Sequence, residues 1–154
     1  MRVGDQFHVG IVVEDLESSL EELTQLFGYE WCDVIGGPTS VTGPEGDVVV
    51  DLRFAYSRTP PRMEVIRTVP GTLWVPSDSG IHHLGYWSDD VAADSAELVR
   101  RGYATEAVGS RPDGTPYWSF HRIDTGPRVE LVSRSVQPGL EQYWAAAPAS
   151  PAST

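Results

Sequence analysis

The organisation of this chain follows from the stretch FHVGIVVEDLESSLEELTQLFG, residues 7–28. Its first seven residues are rich in Val and Ile, which favour a β-strand. From Leu16 to Phe27, apolar residues recur at helical spacing and predict an amphipathic helix with one apolar face. Asp15 is a good helix N-cap, and Gly28 suits the left-handed residue that ends a helix. The stretch therefore predicts a strand followed by a helix that covers a sheet.

The residues that follow predict three further strands. We expect these strands at residues 29–35, 48–56 and 62–68, where β-branched and aromatic residues are frequent. Residues 36–46, rich in Gly, Pro, Ser and Thr, are expected to form a loop. Pro60-Pro61 forces a turn between the last two strands. The first half of the chain therefore reads β-α-β-β-β.

The second half repeats this order. A strand at 81–87 precedes a helix that begins after Asp90 and ends at Gly102, and strands are expected at 103–108, 117–123 and 128–134. A shift of 75 positions, from 8 to 83, matches His8 with His83 and Gly10 with Gly85. A shift of 66 positions, from 64 to 130, matches Glu64 with Glu130. We predict two tandem βαβββ modules (1–68 and 81–134), a linker (69–80) and a C-terminal tail (135–154) whose last part is disordered.

Composition excludes several classes of partner. The 154 residues include 11 basic and 22 acidic side chains, a formal net charge of −11. Nucleic acids and anionic membranes are polyanions, so we expect the protein to bind neither. A single cysteine, Cys32, excludes an intramolecular disulfide and a Cys-rich zinc site. With no signal-peptide pattern and no apolar stretch near ~18 residues, the sequence predicts a cytoplasmic protein.

Four polar residues occupy matching places in apolar strands: His8, Glu64, His83 and Glu130. Side chains alternate along a strand, so each is expected on the sheet face opposite the helices. If the two sheets curve around one cleft, the four side chains converge there. Taken singly, a histidine in a strand is more often a half-buried structural residue, and a glutamate near a strand end is usually solvated. The repetition favours a site for a divalent ion, since two imidazoles and two carboxylates suit Zn, Ni, Co, Mn or Fe.

Three segments together resemble a known family. They are FHVGIVVEDLESSLEELTQLFGYEW (7–31), IHHLGYWSDD (81–90) and TGPRVELVSR (125–134), and they are similar to the vicinal oxygen chelate superfamily. This superfamily includes glyoxalase I, methylmalonyl-CoA epimerase, extradiol dioxygenases and bleomycin-resistance proteins. The resemblance covers about residues 6–134. It implies an α+β fold in which two βαβββ modules form an open, cup-shaped mixed β-sheet with the helices outside.

The resemblance also implies a metal centre and an assembly state. The residues it assigns to one divalent metal ion are His8, Glu64, His83 and Glu130. His82, next to a ligand, is expected to be structural because alternation turns it toward the helix side. Family members commonly form homodimers, so a homodimer is expected here.

The function that the resemblance implies is that of a metal-dependent enzyme. We expect an isomerase, epimerase or lyase that enolises a small carbonyl substrate by proton abstraction. Acyl thioesters belong to this class of substrates. A glyoxalase I-like lyase on a thiol adduct and a metal-free small-molecule binding or resistance protein stay open. Val12 and Thr68 stand where similar bacterial glyoxalases carry polar residues that bind the thiol cofactor, which weighs against a glutathione adduct. Extradiol dioxygenases use two histidines and one carboxylate and leave positions on the metal open for oxygen. A fourth protein ligand would occupy one of these positions, which disfavours that reaction.

The strand at 48–56 supplies a candidate base. If its apolar residues Val50, Leu52 and Phe54 lie under the helix, Asp51 and Arg53 face the cleft. The sequence VVVDLRF resembles the epimerase strand that supplies an acidic general base, so Asp51 is a candidate base and Arg53 a candidate substrate contact. The alternative for this pair is a surface ion pair.

Further residues are assigned to the cleft by the internal repeat. The 66-residue shift places His121 beside the cleft as a second acid or base, and Glu130 is expected to be catalytic as well as a metal ligand. Trp87 and Tyr117 are expected to form an aromatic wall that contacts the substrate.

Overall fold

The computed structural model describes residues 1–148. Its strands and helices, in chain order, are β1 (Gln6–Val13), α1 (Leu16–Phe27), β2 (Ile35–Gly43), β3 (Gly46–Tyr56), β4 (Arg62–Arg67), β5 (His83–Ser88), α2 (Val91–Arg100), β6 (Ala104–Ser110), β7 (Pro116–Arg122), β8 (Arg128–Ser133) and α3 (Gln137–Ala145). Short 3-10 turns span Val3–Asp5 and Arg134–Val136. None of the helices within 1–148 has the length and apolar character needed to cross a membrane.

The eight strands form one closed sheet in the order β1-β4-β3-β2-β6-β7-β8-β5. β1 pairs in parallel with β4, and β5 in parallel with β8, whereas the other pairs are antiparallel. β1 and β5 meet along a paired seam, but β2 and β6 share a single pair, Thr42 with Val108. The predicted α+β fold, a mixed sheet curved into a cup, is confirmed. Its two halves are joined by several residue pairs between β1 and β5 but by only one pair between β2 and β6.

The helices begin and end as the sequence indicates. Asp15 accepts a hydrogen bond from the Ser18 N–H at the start of α1, and Asp90 caps α2 in the same way through Ala93. Gly28 ends α1 in the left-handed conformation, with φ 75°. α1 packs chiefly against β4. Its last turn stays in solvent, so the expectation that Phe27 joins the buried face is wrong.

The predicted loop at 36–46 is mostly strand β2, and residues 29–34 are irregular instead of a strand. β2 is fully paired on one side only, by β3, so Pro38 can occupy it although proline has no N–H to donate. Gly36 has φ 111°, and a Cβ there would lie 2.2 Å from the Leu52 carbonyl oxygen. Glycine and proline therefore mark a one-sided strand here and not a loop.

Two tryptophans fill opposite ends of the barrel. Trp74, from the segment between β4 and β5, packs in a buried cluster with Val12 and Phe120. At the other end, Trp144 of α3 packs with Tyr56 and other buried residues. The interior between these two clusters carries the candidate site.

The C-terminal tail is partly ordered. The sequence predicted no helix after β8, yet α3 forms and Trp144 anchors it beneath the Arg62 guanidinium, 3.8 Å from the ring centroid. The Tyr143 hydroxyl donates a hydrogen bond to the Asp33 carbonyl. The segment expected to be disordered, 147–154, lies for the most part outside the described residues.

Replacing Trp144 with alanine should destabilise the protein strongly. A buried tryptophan truncated to alanine costs about 3–5 kcal/mol in free energy of unfolding, and the Arg62 contact is lost as well. Chemical denaturation followed by circular dichroism measures this change. Phe27→Ala is the control: its side chain is 71% exposed, and the expected change is within about 0.5 kcal/mol. Equal effects of the two variants would contradict the packing described for α3.

Candidate metal centre

Four adjacent strands place the four polar residues singled out by the repeat. His8 lies on β1, Glu64 on β4, His83 on β5 and Glu130 on β8. These four strands are adjacent in the order β4-β1-β5-β8, so they span the pairing of β1 with β5. All four side chains point inward and are buried, with exposed fractions between 0% and 9%. One ligand-type atom from each lies within 4.8 Å of the others. The structure thus brings together residues that are far apart in the sequence.

Two glycines make room for the two imidazoles. In the antiparallel pairing of β1 with β5, His8 stands opposite Gly85 and Gly10 stands opposite His83. A Cβ at position 85 would lie 1.9 Å from the His8 ring, and a Cβ at position 10 would lie 1.9 Å from the His83 ring. The rings therefore occupy the space above the opposing glycines, which explains why the internal repeat preserves both residues.

The spacing of the donor atoms suits a single cation. The Nε2 atoms of His8 and His83 are 2.9 Å apart, and Glu130 Oε2 lies 3.0 Å and 3.3 Å from them. Glu64 Oε2 lies 3.5 Å and 3.2 Å from the same two nitrogens. Ligands about 2.0–2.2 Å from a divalent ion in tetrahedral or octahedral geometry stand roughly 3.0–3.5 Å from each other. The four donors fit that pattern.

The charges of the cluster depend on one another. Burial alone would lower the pKa of His8, but Glu130 and Glu64 more than offset it and raise that pKa to about 9. The pKa of His83 is raised for the same reasons. Burial tends to raise the pKa of each glutamate, yet hydrogen bonds from His8 and His83 bring both pKa values below the usual range. The two buried carboxylates thus favour a positive charge between them. In the metal-free protein the imidazoles carry that charge, and a divalent cation can supply it instead.

The affinity for Zn²⁺ should increase with pH up to about 9. The His8 imidazole, with a pKa of about 9, must lose its proton before Nε2 can ligate a cation, whereas the glutamates are already ionised. His83, whose pKa is raised as well, must also be unprotonated at Nε2, and each displaced proton gives about a tenfold gain in affinity per pH unit below the pKa concerned. Competition with a chelator of known affinity, between about pH 7 and about pH 9, measures the slope. An affinity that is flat over this interval would contradict the assignment.

A hydrogen-bonded neighbour supports one of the imidazoles. Nδ1 of His83 lies 2.9 Å from Nδ1 of His82, and Nε2 of His82 lies 2.8 Å from the Leu73 carbonyl oxygen. Burial, followed by the charge of His83, lowers the pKa of His82 to about 4. His8 lacks such a neighbour among the described residues, since its buried Nδ1 has no hydrogen-bond partner there. Glu130 Oε2 is also buried, and its near neighbours are the Nε2 atoms of His8 and His83.

A cavity of about 620 Å³ opens beside the cluster. Glu64 and Glu130 form part of its wall, and no other charged side chain of the described chain lines it. Three aromatic rings, from Trp74, Trp118 and Phe120, pack edge to face on another part of the wall, with centroids 5.7–6.2 Å apart. Val136 and Leu140, from the C-terminal segment, complete the lining. The cavity is therefore apolar and aromatic, with its charge confined to the metal-type cluster.

Tyr56 is a site residue that the sequence analysis missed. It stands opposite Glu64 in the pairing of β3 with β4, lines the cavity and is almost fully buried. Burial and then the charges of Glu64 and Glu130 raise the pKa of its phenol, which interacts with the Glu64 carboxylate. The register of the hairpin between β3 and β4 decides which residue faces Glu64, and only that register could have identified Tyr56.

Asp51 and Arg53 do not face the cavity. Leu52, Phe54 and Tyr56 point inward from β3, so the residues between them point outward. Asp51 is 49% exposed and forms ion pairs with Arg67 at 3.0 Å and with Arg53 at 3.3 Å. The expectation that the apolar face of this strand lies under the helix is wrong, because the inside of the barrel is itself apolar. The surface ion pair, the alternative considered for these residues, is what the structure shows.

His121 lies on the opposite side of the sheet from the cavity. It pairs with Val129, whose side chain packs in the cluster between α2 and the sheet, whereas Phe120 and Glu130 point inward. Nε2 of His121 lies 3.0 Å from the Ser119 hydroxyl, and burial lowers its pKa. The predicted position beside the cleft is therefore wrong, and the contacts are those of a buried structural histidine.

The two predicted aromatic contacts have different positions. Tyr117 lines the cavity, as expected. Trp87 points inward but is covered: it stacks on Phe7 with ring centroids 3.8 Å apart and packs with Trp144 at the closed end of the barrel. The described residues that line the cavity do not include it. Trp74 and Trp118 form the aromatic wall in its place.

A barrel of duplicated βαβββ units with two imidazoles and two carboxylates on its inner face defines a class of protein. A sequence profile described as the Glyoxalase/Bleomycin resistance protein/Dioxygenase superfamily matches residues 7–121, and the chain belongs to this superfamily. Among curated proteins, it is similar to the uncharacterized protein YwbC of Bacillus subtilis (strain 168). The two are 26% identical over 129 residues, which is 82% of this chain and 95% of that protein.

Solved structures with the same fold include methylmalonyl-CoA epimerases. The epimerase of Streptomyces coelicolor, as a variant in complex with 2-nitronate-propionyl-CoA, matches with a TM-score of 0.57 and 19% identity, covering 84% of this chain and 96% of that one. The epimerase from Mycobacterium tuberculosis matches with a TM-score of 0.55 and 16% identity, covering 88% and 91%. These similarities establish the fold.

Proposed function

We propose that this protein is a metal-dependent enzyme of the isomerase, epimerase or lyase type that enolises a small carbonyl compound by removing its α-proton. One observation supports this above the others. Two imidazoles and two carboxylates converge to 2.9–3.5 Å beside an apolar cavity, and the two carboxylates are the charged side chains of the described chain that line it. A cavity built only to bind an apolar molecule has no need of buried charges, which are costly.

His8, Glu64, His83 and Glu130 would hold the cation, and the donor set suits Zn, Ni, Co, Mn or Fe. Such an ion supplies Lewis acidity, which makes the proton next to a bound carbonyl more acidic. The cavity walls exclude water and orient the substrate against the two carboxylates. The protein itself must then supply the base.

Glu130 is the carboxylate best placed to move a proton. Glu64 has the Tyr56 phenol, a hydroxyl donor, as its partner across the hairpin. At the equivalent place in the second half, Glu130 stands opposite Phe120, which offers no hydrogen bond. A carboxylate with fewer hydrogen bonds is the more basic and the freer to approach a substrate proton. We therefore assign proton abstraction to Glu130 and a purely ligating role to Glu64.

The cavity selects for an uncharged substrate. Its aromatic wall of Trp74, Trp118 and Phe120 suits a ring or an alkyl group, and the described lining residues include no arginine, lysine or histidine that would pair with a phosphate or a carboxylate. A volume of about 620 Å³ accommodates a small molecule. The epimerases that share the fold have been solved with CoA thioesters. An acyl thioester can react here if only its acyl end enters the cavity.

Metal content and proton exchange test this proposal together. Metal analysis of the purified protein, before and after incubation with each candidate ion, should give about one ion per chain, and His8→Ala should bind much less. Exchange of the α-protons of 2-hydroxyacetophenone in deuterated water, followed by NMR, should require the bound ion. This probe is uncharged and aromatic and carries two neighbouring oxygens. Methylmalonyl-CoA is the charged comparison and should react more slowly.

Two results would overturn the proposal. Absence of stoichiometric metal after reconstitution would leave a metal-free small-molecule binding protein. Stoichiometric metal that His8→Ala does not reduce would place the ion elsewhere. Faster turnover of methylmalonyl-CoA than of the aromatic ketone would overturn the substrate class alone and retain the metal centre.

A further inference from the structure

A chain of hydrogen bonds fixes which nitrogen of His83 carries a proton. The Leu73 carbonyl oxygen can only accept, so the His82 nitrogen that contacts it at 2.8 Å, Nε2, is the donor. His82 is buried and its own carbonyl faces Arg128, which favours an uncharged imidazole with one N–H. Its other nitrogen, Nδ1, must then accept, and the atom 2.9 Å away is Nδ1 of His83. His83 Nδ1 therefore donates, so Nε2 is the nitrogen that faces the cluster and can give up its proton to a cation.

The starting point of this chain of bonds is rigid. Leu73 belongs to a closed turn in which the Val69 N–H donates to the Trp74 carbonyl and the Thr72 hydroxyl donates to the Val69 carbonyl. Trp74, the next residue, is buried in the aromatic wall of the cavity. The Leu73 carbonyl is thus held by the same packing that shapes the cavity, and it can orient the ring of His82.

The internal repeat shows that the fold does not require a histidine at this place. The 75-residue shift that matches His8 with His83 matches Phe7 with His82. Phe7 supports no hydrogen bond to its neighbour, and Nδ1 of His8 has no partner among the described residues. One half of the barrel therefore carries a supported imidazole and the other half an unsupported one, although the strands are built alike.

We propose that His82 is a positioning residue that holds His83 in the Nδ1–H form and so prepares its Nε2 for a divalent cation. This inference rests on the proposed metal centre. Partners of this kind contribute about 10–100-fold to metal affinity, because they fix both the protonated nitrogen and the orientation of the ring.

The experiment compares three variants in the otherwise unchanged protein. His82→Phe keeps a ring of similar shape, as at position 7, and removes both hydrogen bonds. His82→Asn retains an oxygen near the place of Nδ1 and can accept from His83 but does not reach Leu73. His121→Phe removes another buried histidine, one without contact to the cluster, and controls for general destabilisation. Zn²⁺ affinity is measured by chelator competition, and the protonated nitrogen of His83 by ¹⁵N NMR.

We expect a loss of about 10–100-fold in Zn²⁺ affinity for His82→Phe, a smaller loss for His82→Asn and no change for His121→Phe. An affinity of His82→Phe within about twofold of the unaltered protein would overturn the inference, as would a neutral His83 ring that carries its one proton on Nε2 in the unaltered protein. If the unaltered protein binds no ion at all, that result contradicts the proposed function but does not decide the inference about His82. The NMR spectrum in alkaline solution then decides the inference: Nδ1–H that disappears in His82→Phe supports it, and Nε2–H overturns it.

Discussion

Gly85→Ala should abolish tight metal binding while all four candidate ligands remain in place. The new Cβ would lie 1.9 Å from Cε1 of His8 and within 2.5 Å of both ring nitrogens. Atoms cannot approach so closely, so the imidazole must rotate away and its Nε2 leaves the cluster. A metal site that loses one of four ligands, and the geometry of the rest, should lose more than about 100-fold in Zn²⁺ affinity. Chelator competition measures that loss directly.

The cause of this loss can be separated from misfolding. Gly4→Ala is the matched control, because a Cβ at position 4 meets nothing within 4 Å. It should leave the Zn²⁺ affinity unchanged. In a His8→Ala background, Gly85→Ala should cost little further stability, since the clashing ring is gone. If Gly85→Ala lowers the melting temperature equally with and without His8, steric displacement of that ring is the wrong explanation.

The four cluster residues could be predicted because duplication supplies a second copy of each signal. A histidine in one strand is ambiguous, but His8 and His83 recur in the same local pattern, each followed by a glycine two positions later. Those glycines turn out to be the steric complement of the opposite imidazoles. The sequence therefore contained both the ligands and the space they need, although only the ligands could be interpreted from it.

The faces of β3 and β7 could not be predicted from alternation alone. Alternation gives two sets of residues but does not say which set faces inward, and here both the barrel interior and the surface beneath a helix are apolar. The register of the hairpin that pairs Tyr56 with Glu64 decides the matter. That hairpin contains the irregular Pro60-Pro61 turn, so its register cannot be counted from the sequence. Because His121 was placed by the internal repeat from β3, one wrong face gave wrong positions for three residues, Asp51, Arg53 and His121.

The helix α3 was missed for a different reason. Its first residues include Pro138 and Gly139, which are poor helix formers, and it is short. Its order comes from tertiary packing of Trp144 against the end of the barrel. Local sequence patterns contain no information about that contact, although the helix it anchors contributes Leu140 to the cavity lining.

Glu130→Gln should lower the rate of α-proton exchange in 2-hydroxyacetophenone by about 10²–10⁴-fold when the metal ion is saturating. A glutamine keeps the size of the side chain and an oxygen that can ligate, but its amide cannot accept a proton at neutral pH. The loss should therefore appear in the rate at saturating metal and substrate, more than in the amount of metal bound. Saturating metal is needed because both glutamates also contribute to affinity for the ion.

The matched comparison is Glu64→Gln, which makes the same chemical change at the partner carboxylate. Glu64 faces the Tyr56 phenol, whereas Glu130 faces Phe120, so the exchange rate of Glu64→Gln at saturating metal should fall by no more than about tenfold. Asp51→Asn should leave the rate unchanged, since this side chain is half-exposed and paired with Arg67 on the outer face. A loss in Glu64→Gln as large as that in Glu130→Gln would show that the Tyr56 phenol does not give the two carboxylates different roles. A large loss in Asp51→Asn would require a base that reaches the substrate from outside the barrel, which the inward orientation of Leu52 and Phe54 does not allow.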